Sequence, residues 1–244
     1  MRAAGRGQSA LWQHRLSRQA RRHAAAAQYS WGLGGAAMTD ATDGTVIDVT
    51  VARTLDQVVM AMTLRGVIYL GEQEAPYAEE YDGNDLVAAS HLIAWKGREP
   101  VGVLRLRWFA DFAKVERAAV LQQYRRDGVM RVLMQEALRY SARRGYRRVI
   151  GHAQLNRVKY WRTHGFRVRP DRPEFYFSDY AYVEIERELI PPANAITADT
   201  DPMVLIRPDG EWDRPGPFDL SLERLEAEKE QARKDKKKSK EEAA

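Results

Sequence analysis

The chain of 244 residues contains no cysteine. This absence excludes a disulfide framework, a thiol nucleophile and any zinc or iron–sulfur site that depends on cysteine ligands. The chain also lacks an apolar run that approaches the ~20 residues needed to span a bilayer. Its net charge of +5 is modest and is concentrated in local clusters. We therefore expect a cytoplasmic protein with one packed domain and charged ends.

Acidic residues are missing from the N-terminal region. Residues 1–37 contain no Asp or Glu, and they combine scattered arginines with an alanine run and a glycine-rich exit. Such segments occur in organelle transit peptides and in nucleic-acid-binding arms. An idle tail, or an upstream translation start before a natural start at Met38, explains the composition equally well. We expect residues 1–44 to form a basic, disordered extension.

Between residues 45 and 190 the apolar residues alternate in some segments and recur with helical spacing in others. The patterns predict, in order, a strand at 46–51, a helix at 55–70, an acidic loop at 72–85, a hairpin at 86–109 with its turn at 96–100, a strand at 114–121, a helix at 129–144 capped by Gly145, a strand at 148–153, a short helix at 156–163 and final strands at 174–186. A meander followed by a strand–helix–strand unit implies an α/β (α+β) fold, with a mixed sheet and helices on both faces.

The composition changes again after residue 190. Six prolines between Pro191 and Pro217 favour an irregular strap, and Glu and Lys dominate residues 220–244. The latter pattern predicts a solvated helix that frays into a charged tail. Its lysines leave contact with nucleic acid open, although such tails more often only increase solubility. We therefore expect a domain at 45–190, followed at 191–244 by a strap and a charged helix.

The stretch from Lys114 to Leu138 joins a strand to an amphipathic helix through a short basic loop. Arg125, Arg126 and Gly128 lie immediately before the helix. The free backbone N–H groups of a first helical turn and the helix dipole both favour negative charge. The loop therefore predicts a site for a ligand that carries phosphate.

With these residues in place, the chain resembles the GNAT superfamily of acyl-CoA-dependent N-acetyltransferases. Residues 125–130 are similar to the R/Q-x-x-G-x-G/A pyrophosphate loop of that superfamily, with Met130 where a small residue is usual. Three further elements resemble the ElaA-like branch, namely an acidic segment between Arg65 and His91, the HAQ sequence at 152–154 and the HGF sequence at 164–166. The similarity covers about residues 46–190 and implies a mixed, mostly antiparallel central sheet.

The resemblance implies acetyl-CoA as the acyl donor, a primary amine on a small molecule or peptide as the acceptor, and no metal. It leaves a homodimer open. The strand before the loop would bind the pantetheine arm of CoA through its backbone. An N–H near Val120 would stabilise the thioester oxyanion by ~3 kcal/mol. The N–H groups of residues 126–129 would surround the pyrophosphate. The positions that match the CoA-binding positions of the superfamily are Ala119, Val120, Leu121, Arg125, Arg126, Asp127, Gly128, Val129, Met130, Arg131, Gln154 and Trp161.

Glu116 is the candidate base that deprotonates the amine, because it lies near the centre of the strand before the loop. The alternative is that Glu116 only pairs with an arginine of the adjacent strand, such as Arg105 or Arg107. His91 and His152 also lie in predicted strands. For both histidines, a structural role is at least as good an interpretation as a catalytic one.

The group that protonates the departing thiolate is harder to assign. In the superfamily it is commonly a tyrosine five residues before the phenylalanine of the GF pair, but Trp161 occupies that position. Tyr160, which lies ~100° away around a helix, and Tyr182 of the last strand are the candidates, with solvent as the third alternative. Trp161 also favours a different class of function, a catalytically weak CoA-binding or interaction module.

The acidic segment supports two further interpretations. Glu72, Glu80, Asp82 and Asp85 either line a pocket for a cationic amine or form a solvated loop. An acyl-homoserine-lactone synthase also has an acidic segment of this kind, but the tryptophan-rich N-terminal signature of those enzymes is absent. The spacing of these residues does not match a calcium loop.

Overall fold

The computed structural model describes residues 46–177 and 179–242. The extension predicted at residues 1–44 lies outside the described residues. The strands are β1 (Ile47–Val51), β2 (Ala89–Lys96), β3 (Glu99–Trp108), β4 (Ala113–Val120), β5 (Arg148–Gln154), β6 (Arg167–Val168), β7 (Phe175–Phe177) and β8 (Tyr180–Glu188). The α-helices are α1 (Leu55–Arg65), α2 (Tyr77–Glu80), α3 (Val129–Arg143), α4 (Val158–Thr163), α5 (Pro202–Leu205) and α6 (Pro217–Glu242).

The strands form one sheet in the order β1-β2-β3-β4-β5-β8-β6, and β7 also pairs with β8. Among the described strands, only β4 and β5 pair in parallel. Alternate residues of β2 face different cores: Leu92 and Ala94 pack with α3, whereas Ile93 packs with α1. The helices therefore cover both faces, and the predicted mixed, mostly antiparallel fold is confirmed.

The helix predicted at 55–70 changes character at its middle. Gln57 Oε1 accepts the backbone N–H groups of Arg53 at 2.8 Å and Thr54 at 3.4 Å, which stabilises the start of α1. After Arg65 the chain continues as a π-helical turn over Gly66–Glu72. Such wide turns are rare and are often found at functional sites.

α3 covers the central strands through the apolar stripe that its sequence predicts. Its buried residues include Val129, Leu133, Met134, Ala137 and Leu138. The helix lies close to the sheet at Gly102 of β3, where an added Cβ would be 2.9 Å from Val129 Cγ1 and 3.2 Å from Ala119 O. The lack of a side chain at Gly102 therefore allows the start of α3 to lie close to β3.

Several predicted boundaries differ from the structure. β2 begins at Ala89, so Leu86 and Val87 are exposed loop residues and not strand residues. The hairpin turn is shorter than residues 96–100, because β3 already begins at Glu99. The cap of α3 is Arg144, and Gly145, with φ of 91°, follows it.

The strap after residue 190 shares the core of the sheet domain. Trp212 is buried, stacks on Tyr140 of α3 with 5.9 Å between ring centroids, and lies under the guanidinium of Arg143. Tyr140 Oη donates to Asp209 Oδ2 at 2.6 Å, and Arg143 Nη2 donates to Asp213 Oδ1 at 2.9 Å. α6 follows the strap with its apolar side chains exposed. None of the helices within the described residues is long and apolar enough to cross a membrane.

Candidate functional site

The loop before α3 is anchored on both sides. Its contacts are the ion pair Lys96–Asp127 at 2.9 Å, the hydrogen bond from Tyr124 Oη to Glu99 at 2.6 Å, the hydrogen bond from Arg125 Nε to Val120 O at 3.1 Å, and an ion pair between Arg125 and Glu72. Two of the predicted anion-binding residues, Arg125 and Asp127, therefore hold the loop in place. In contrast, Arg126 and Arg131 make no ion pair with any described residue.

α3 begins directly after Gly128, whose φ of 80° is a conformation that glycine adopts without strain. An added Cβ there would meet no atom within 4 Å, so the turn is open. Within the described part of the chain, the backbone N–H groups of Arg126, Gly128, Val129 and Met130 have no acceptor. The N–H of Asp127 donates to Tyr124 O at 3.3 Å, so it is not part of the predicted cradle.

β4 and β5 separate beside this loop. Their parallel pairing ends at Val115 and Gly151, although both strands continue toward the loop. Leu121 N–H donates to Val101 O at 3.0 Å, so Leu121 and Val101 form a hydrogen-bonded pair of the β3–β4 ladder. Hydrogen-bonded and non-hydrogen-bonded pairs alternate along an antiparallel ladder, so the neighbouring pair of Val120 and Gly102 is not hydrogen-bonded. The N–H of Val120 therefore points away from β3 and into the gap between β4 and β5.

The same alternation shows how the backbone groups of Leu121 and Ala119 are used. The N–H of Leu121 is used within the sheet, and Ala119 pairs with Val103 while its side chain is buried under α1. Of the three strand residues predicted to bind CoA, Val120 alone directs its N–H into the gap.

A β-bulge lies at the centre of β4. Val103 and Arg105 pair with Ala119 and Glu116, so two residues of β4 lie opposite one residue of β3. One of the two is Arg117, whose φ of 52° is unusual for a residue with a side chain. The bulge turns the strand and re-aims the groups on either side of it.

Glu116 lies next to this bulge and is surrounded by cations. Its carboxylate accepts from Arg105 Nε at 3.0 Å and lies 3.1 Å from Lys114 Nζ. Arg107 is more distant, at 3.9 Å. The pairing with Arg105 that the sequence left open as the alternative is therefore present, and the role of Glu116 as a base stays a prediction.

Polar side chains continue across the sheet from Glu116 on the face that α1 occupies. His152 lies one residue beyond the last β4–β5 pair, and Glu184 of β8 lies opposite His152, with 3.8 Å between Nε2 and Oε2. Burial and the nearby Lys114 lower the pKa of the imidazole of His152 below its ordinary value. At neutral pH His152 is therefore uncharged and able to accept a proton.

Gln154 and Tyr182 form the next pair along these two strands. Gln154 Nε2 donates to Tyr182 Oη at 3.3 Å, and both side chains are half-buried. The ring of Tyr182 stacks on Phe177 of β7 at 3.8 Å between centroids. Two predicted site residues are thus brought together at the open end of β5.

The other two predicted residues lie on α4. Tyr160 is 42 % exposed. The partial burial of its side chain raises the pKa of its hydroxyl. The ring of Trp161 packs edge-on against Phe166 at 5.2 Å and joins the α3-side core. Trp161 therefore has a packing role, whereas the hydroxyl of Tyr160 has no hydrogen-bond partner among the residues that the structure describes.

The carboxylates singled out in the acidic segment are paired with arginines, and the segment is part buried and part exposed. Arg65 is fully buried and pairs with Glu80 and Asp85, and Arg105 binds Asp82 at 2.6 Å and Asp85 at 2.7 Å. Burial alone would raise the pKa of the Asp82 carboxyl, but hydrogen bonds from Arg105 and Asn84 lower it well below its ordinary range. Glu80 and Asp85 are therefore buried with Arg65 and Arg105 in an ionic core, whereas Asp82 is exposed and Glu72 binds Arg125 of the loop.

His91 belongs to this core. It is buried, and its Nε2 lies 3.0 Å from Asp85 O. Burial lowers the pKa of His91, so it is uncharged beside Arg65 and Arg105. The structural interpretation of His91 is the one that these contacts support.

Two side chains near the gap were not singled out from the sequence. Tyr69 of the π-helical turn donates its hydroxyl to Ala118 O at 3.1 Å, and burial raises the pKa of that hydroxyl. Arg117 contacts Asp82 at 3.1 Å and Glu80 at 3.3 Å. A tyrosine inside a helical pattern and an arginine inside a strand give no local signal, because only the bulge and the π-helical turn bring them to the gap.

Two open concavities of about 480 and 510 Å³ lie elsewhere, along the strap around Trp212 and Arg143. They share no lining residue with the gap between β4 and β5, and the chemical features above place the candidate site at the gap. Across the described residues, no group of three or more His, Asp or Glu side chains could hold a metal ion.

Known proteins match the part of the chain that carries this site. Residues 60–166 match the model of the Acetyltransferase (GNAT) family. A Bacillus subtilis N-acetyltransferase that is itself uncharacterised, YjcF, is 28 % identical over 138 residues, which cover 57 % of this chain and 97 % of YjcF.

Solved structures extend the similarity to the fold. An acyl-CoA N-acyltransferase from Pseudomonas aeruginosa superimposes with a TM-score of 0.53 at 26 % identity, over 58 % of this chain and 99 % of the other. Escherichia coli ElaA gives 0.52 at 21 % identity, over 59 % and 100 %. The likeness to ElaA shows a shared fold, and the closer relation to the ElaA-like branch stays a prediction. The family match, the sheet topology and the open helix start agree, and residues 60–166 therefore carry a domain that is similar to the GNAT family of acetyltransferases.

Proposed function

We propose that this protein transfers an acetyl group from acetyl-CoA to a primary amine by direct attack of the amine on the thioester. The observation that carries the proposal is the open start of α3 beside the gap between β4 and β5. Acetyl-CoA would supply the acyl group as an activated thioester. The chain supplies groups that bind it, orient it and move protons.

The residues at the gap fit a diphosphate and a thioester arm. Unpaired N–H groups at Arg126, Gly128 and Val129 would surround the diphosphate, with the unpaired cations of Arg126 and Arg131 beside them. The N–H of Val120 would donate to the thioester oxygen, where negative charge develops. The positions of these donors are fixed before any ligand binds, which lowers the cost of ordering them.

In the reaction, the amine nitrogen forms a bond to the carbonyl carbon while the bond from that carbon to sulfur breaks. One proton leaves the nitrogen, and one proton must reach the thiolate. The chain offers separate groups for these two proton transfers. Residues of β4 or β5 would accept the proton from nitrogen, and residues of β8 or α4 would donate the proton to the thiolate.

For the first transfer we keep Glu116 as a candidate and add His152. Glu116 is adjacent to the bulge, but its charge is offset by Arg105 and Lys114. His152 lies across the gap on the same face, is uncharged at neutral pH and is held beside Glu184. A base whose pKa lies near or below the working pH is available in its proton-accepting form.

For the second transfer, Tyr182 has the better support. Gln154 orients its hydroxyl, and both residues lie at the end of the gap. Tyr160 keeps an exposed hydroxyl on α4 and is the other candidate. Trp161 carries no hydroxyl and packs into the core.

The test combines binding with turnover. Calorimetric titration of the full chain with acetyl-CoA should show binding, and thiol release should appear when an amine is added. Binding without thiol release across polyamines, amino acids, aminoglycosides, arylalkylamines and peptides would identify the weak CoA-binding module that Trp161 favours. No binding of acetyl-CoA at micromolar concentrations would overturn both functions.

A further inference from the structure

The hairpin of β7 and β8 carries aromatic rings on one face. Residues directly opposite each other in an antiparallel pair share a face, and Phe175 pairs with Tyr182 while Phe177 pairs with Tyr180. The rings of Phe175, Phe177 and Tyr182 lie in contact, and Tyr180 shares their face, whereas Tyr176 points to the other face. Phe177 is 43 % exposed and Tyr180 is 53 % exposed, so the ring surface is accessible.

This aromatic face is continuous with the polar end of the gap. Tyr182 lies opposite Gln154 and Glu184 lies opposite His152, which places all of them on the face that also carries Glu116. The rings of His152 and Phe175 touch edge-to-face at 4.9 Å between centroids. A ligand on this face would therefore contact aromatic rings at one end and His152 at the other.

The opposite face of the same strands is already filled. Ala153, Val183 and Ile185 are buried in the α3-side core. On the ring-bearing face, His152, Gln154, Tyr182 and Glu184 are only half-buried. The open surface beside the reacting position is thus aromatic and flat, with its polar groups confined to the end nearest the gap.

We propose that this face is the acceptor subsite and that it takes a primary amine joined by a short linker to an aromatic or other flat apolar group. The inference rests on the proposed acetyl transfer. Flat apolar groups stack well on aromatic rings, whereas a long polycation would find few free carboxylates here. Those of Glu80, Asp82, Asp85 and Glu116 are paired with arginines, and that of Glu184 lies 2.9 Å from Arg169. The amine would lie at His152 and the ring on Phe175, whose own ring touches His152.

The experiment compares 2-phenylethylamine, n-butylamine and spermidine in the thiol-release assay with the full chain. The wild-type protein should show a kcat/KM for 2-phenylethylamine at least tenfold above those of the other two amines. Phe175→Ala, which removes the ring in contact with His152, should raise the KM for 2-phenylethylamine at least fivefold and leave the KM for n-butylamine within twofold. Phe175→Leu should act in the same direction with a smaller effect, because it keeps most of the apolar volume.

Tyr176→Ala is the control, since it removes the adjacent, more exposed ring from the other face of the same hairpin. It should leave all three values within twofold. Equal or better turnover of spermidine, or equal effects of Tyr176→Ala and Phe175→Ala, would overturn the aromatic subsite and leave acetyl transfer intact. Failure of every amine to release thiol would overturn acetyl transfer and the subsite with it.

Discussion

The two arginines of the loop before α3 differ in their contacts. Arg125 is tied to Glu72 and Val120, whereas Arg126 makes no ion pair with a described residue. We predict that Arg126→Ala weakens acetyl-CoA binding about tenfold, or ~1.4 kcal/mol, because a cation beside the diphosphate is lost. Calorimetry measures the affinity, and thermal unfolding should be unchanged.

Arg224→Ala is the control for this prediction. It removes the same charge from α6, where Arg224 is exposed. The affinity of this variant should match that of the wild type. An equal loss in both variants would mean that net charge attracts acetyl-CoA and that Arg126 has no specific contact.

The two candidate proton acceptors predict different pH profiles. A base works in its deprotonated form, so kcat/KM rises with pH through the pKa of that base. The pKa of His152 is lowered from its ordinary value of ~6.5, so the rise should lie below that pH. We predict that His152→Gln lowers kcat/KM at least a hundredfold at neutral pH and abolishes the rise of kcat/KM with pH. Glu116→Gln should keep this rise.

The measurement is kcat/KM for one amine between pH 5 and 9. Persistence of the rise in His152→Gln together with its loss in Glu116→Gln would assign the proton transfer to Glu116. Acetyl-CoA affinity is recorded in parallel, because neither substitution should change it.

The position of α3 depends on one glycine in the sheet beneath it. At Gly102 an added Cβ would meet Val129 Cγ1 and a backbone oxygen of β4, and the backbone oxygen cannot move aside cheaply. We predict that Gly102→Ala lowers the free energy of unfolding by ~1–3 kcal/mol and also weakens acetyl-CoA binding, since it displaces the first turn of α3.

Gly71→Ala is the matched control in the π-helical turn. Its added Cβ would meet only Gly66 O, at 4.0 Å, so stability and binding should stay close to the wild type. Denaturant unfolding and calorimetry measure the two properties. Normal acetyl-CoA affinity in Gly102→Ala would show that the start of α3 tolerates displacement.

The molecule as a whole includes the strap in its core. Trp212 is buried against Tyr140, whereas Phe218 at the start of α6 is 61 % exposed. We predict that Trp212→Ala costs ~3–5 kcal/mol of stability and Phe218→Ala less than ~0.5 kcal/mol.

A chain truncated after residue 216 should therefore unfold near the wild-type temperature. A chain truncated after residue 190 should unfold well below that temperature.

Thermal unfolding of the two truncated chains checks this prediction. Equal melting temperatures would mean that residues 191–216 only cover the surface, and that the domain ends at residue 190 as the composition suggested.

Much of the architecture follows from local patterns. The spacing of Val129, Leu133 and Ala137 predicts one buried face of α3, and Gly128 before it predicts the open turn. Alternation in β2 and β3 predicts a hairpin. These features depend on residues within a turn or two of each other, so the periodicity of side chains in a helix or strand is enough to reveal them.

The candidate site needed contacts between distant segments. Arg65 meets Glu80 and Asp85 inside the protein, and Arg105 of β3 meets Glu116 of β4. No pattern near Arg65 or Glu116 distinguishes a buried ion pair from a charge that faces water. That distinction depends on which strands are neighbours and on their register.

Composition and periodicity thus determined most of the elements, their order and the open start of α3, because each is encoded in a short run of residues. Which groups face the gap was decided by the bulge at Arg117, the separation of β4 from β5 and the π-helical turn that carries Tyr69. The packing of Trp212 into the core was likewise decided by the tertiary structure. These features arise from pairing between segments far apart in the chain, and only the assembled sheet specifies that pairing.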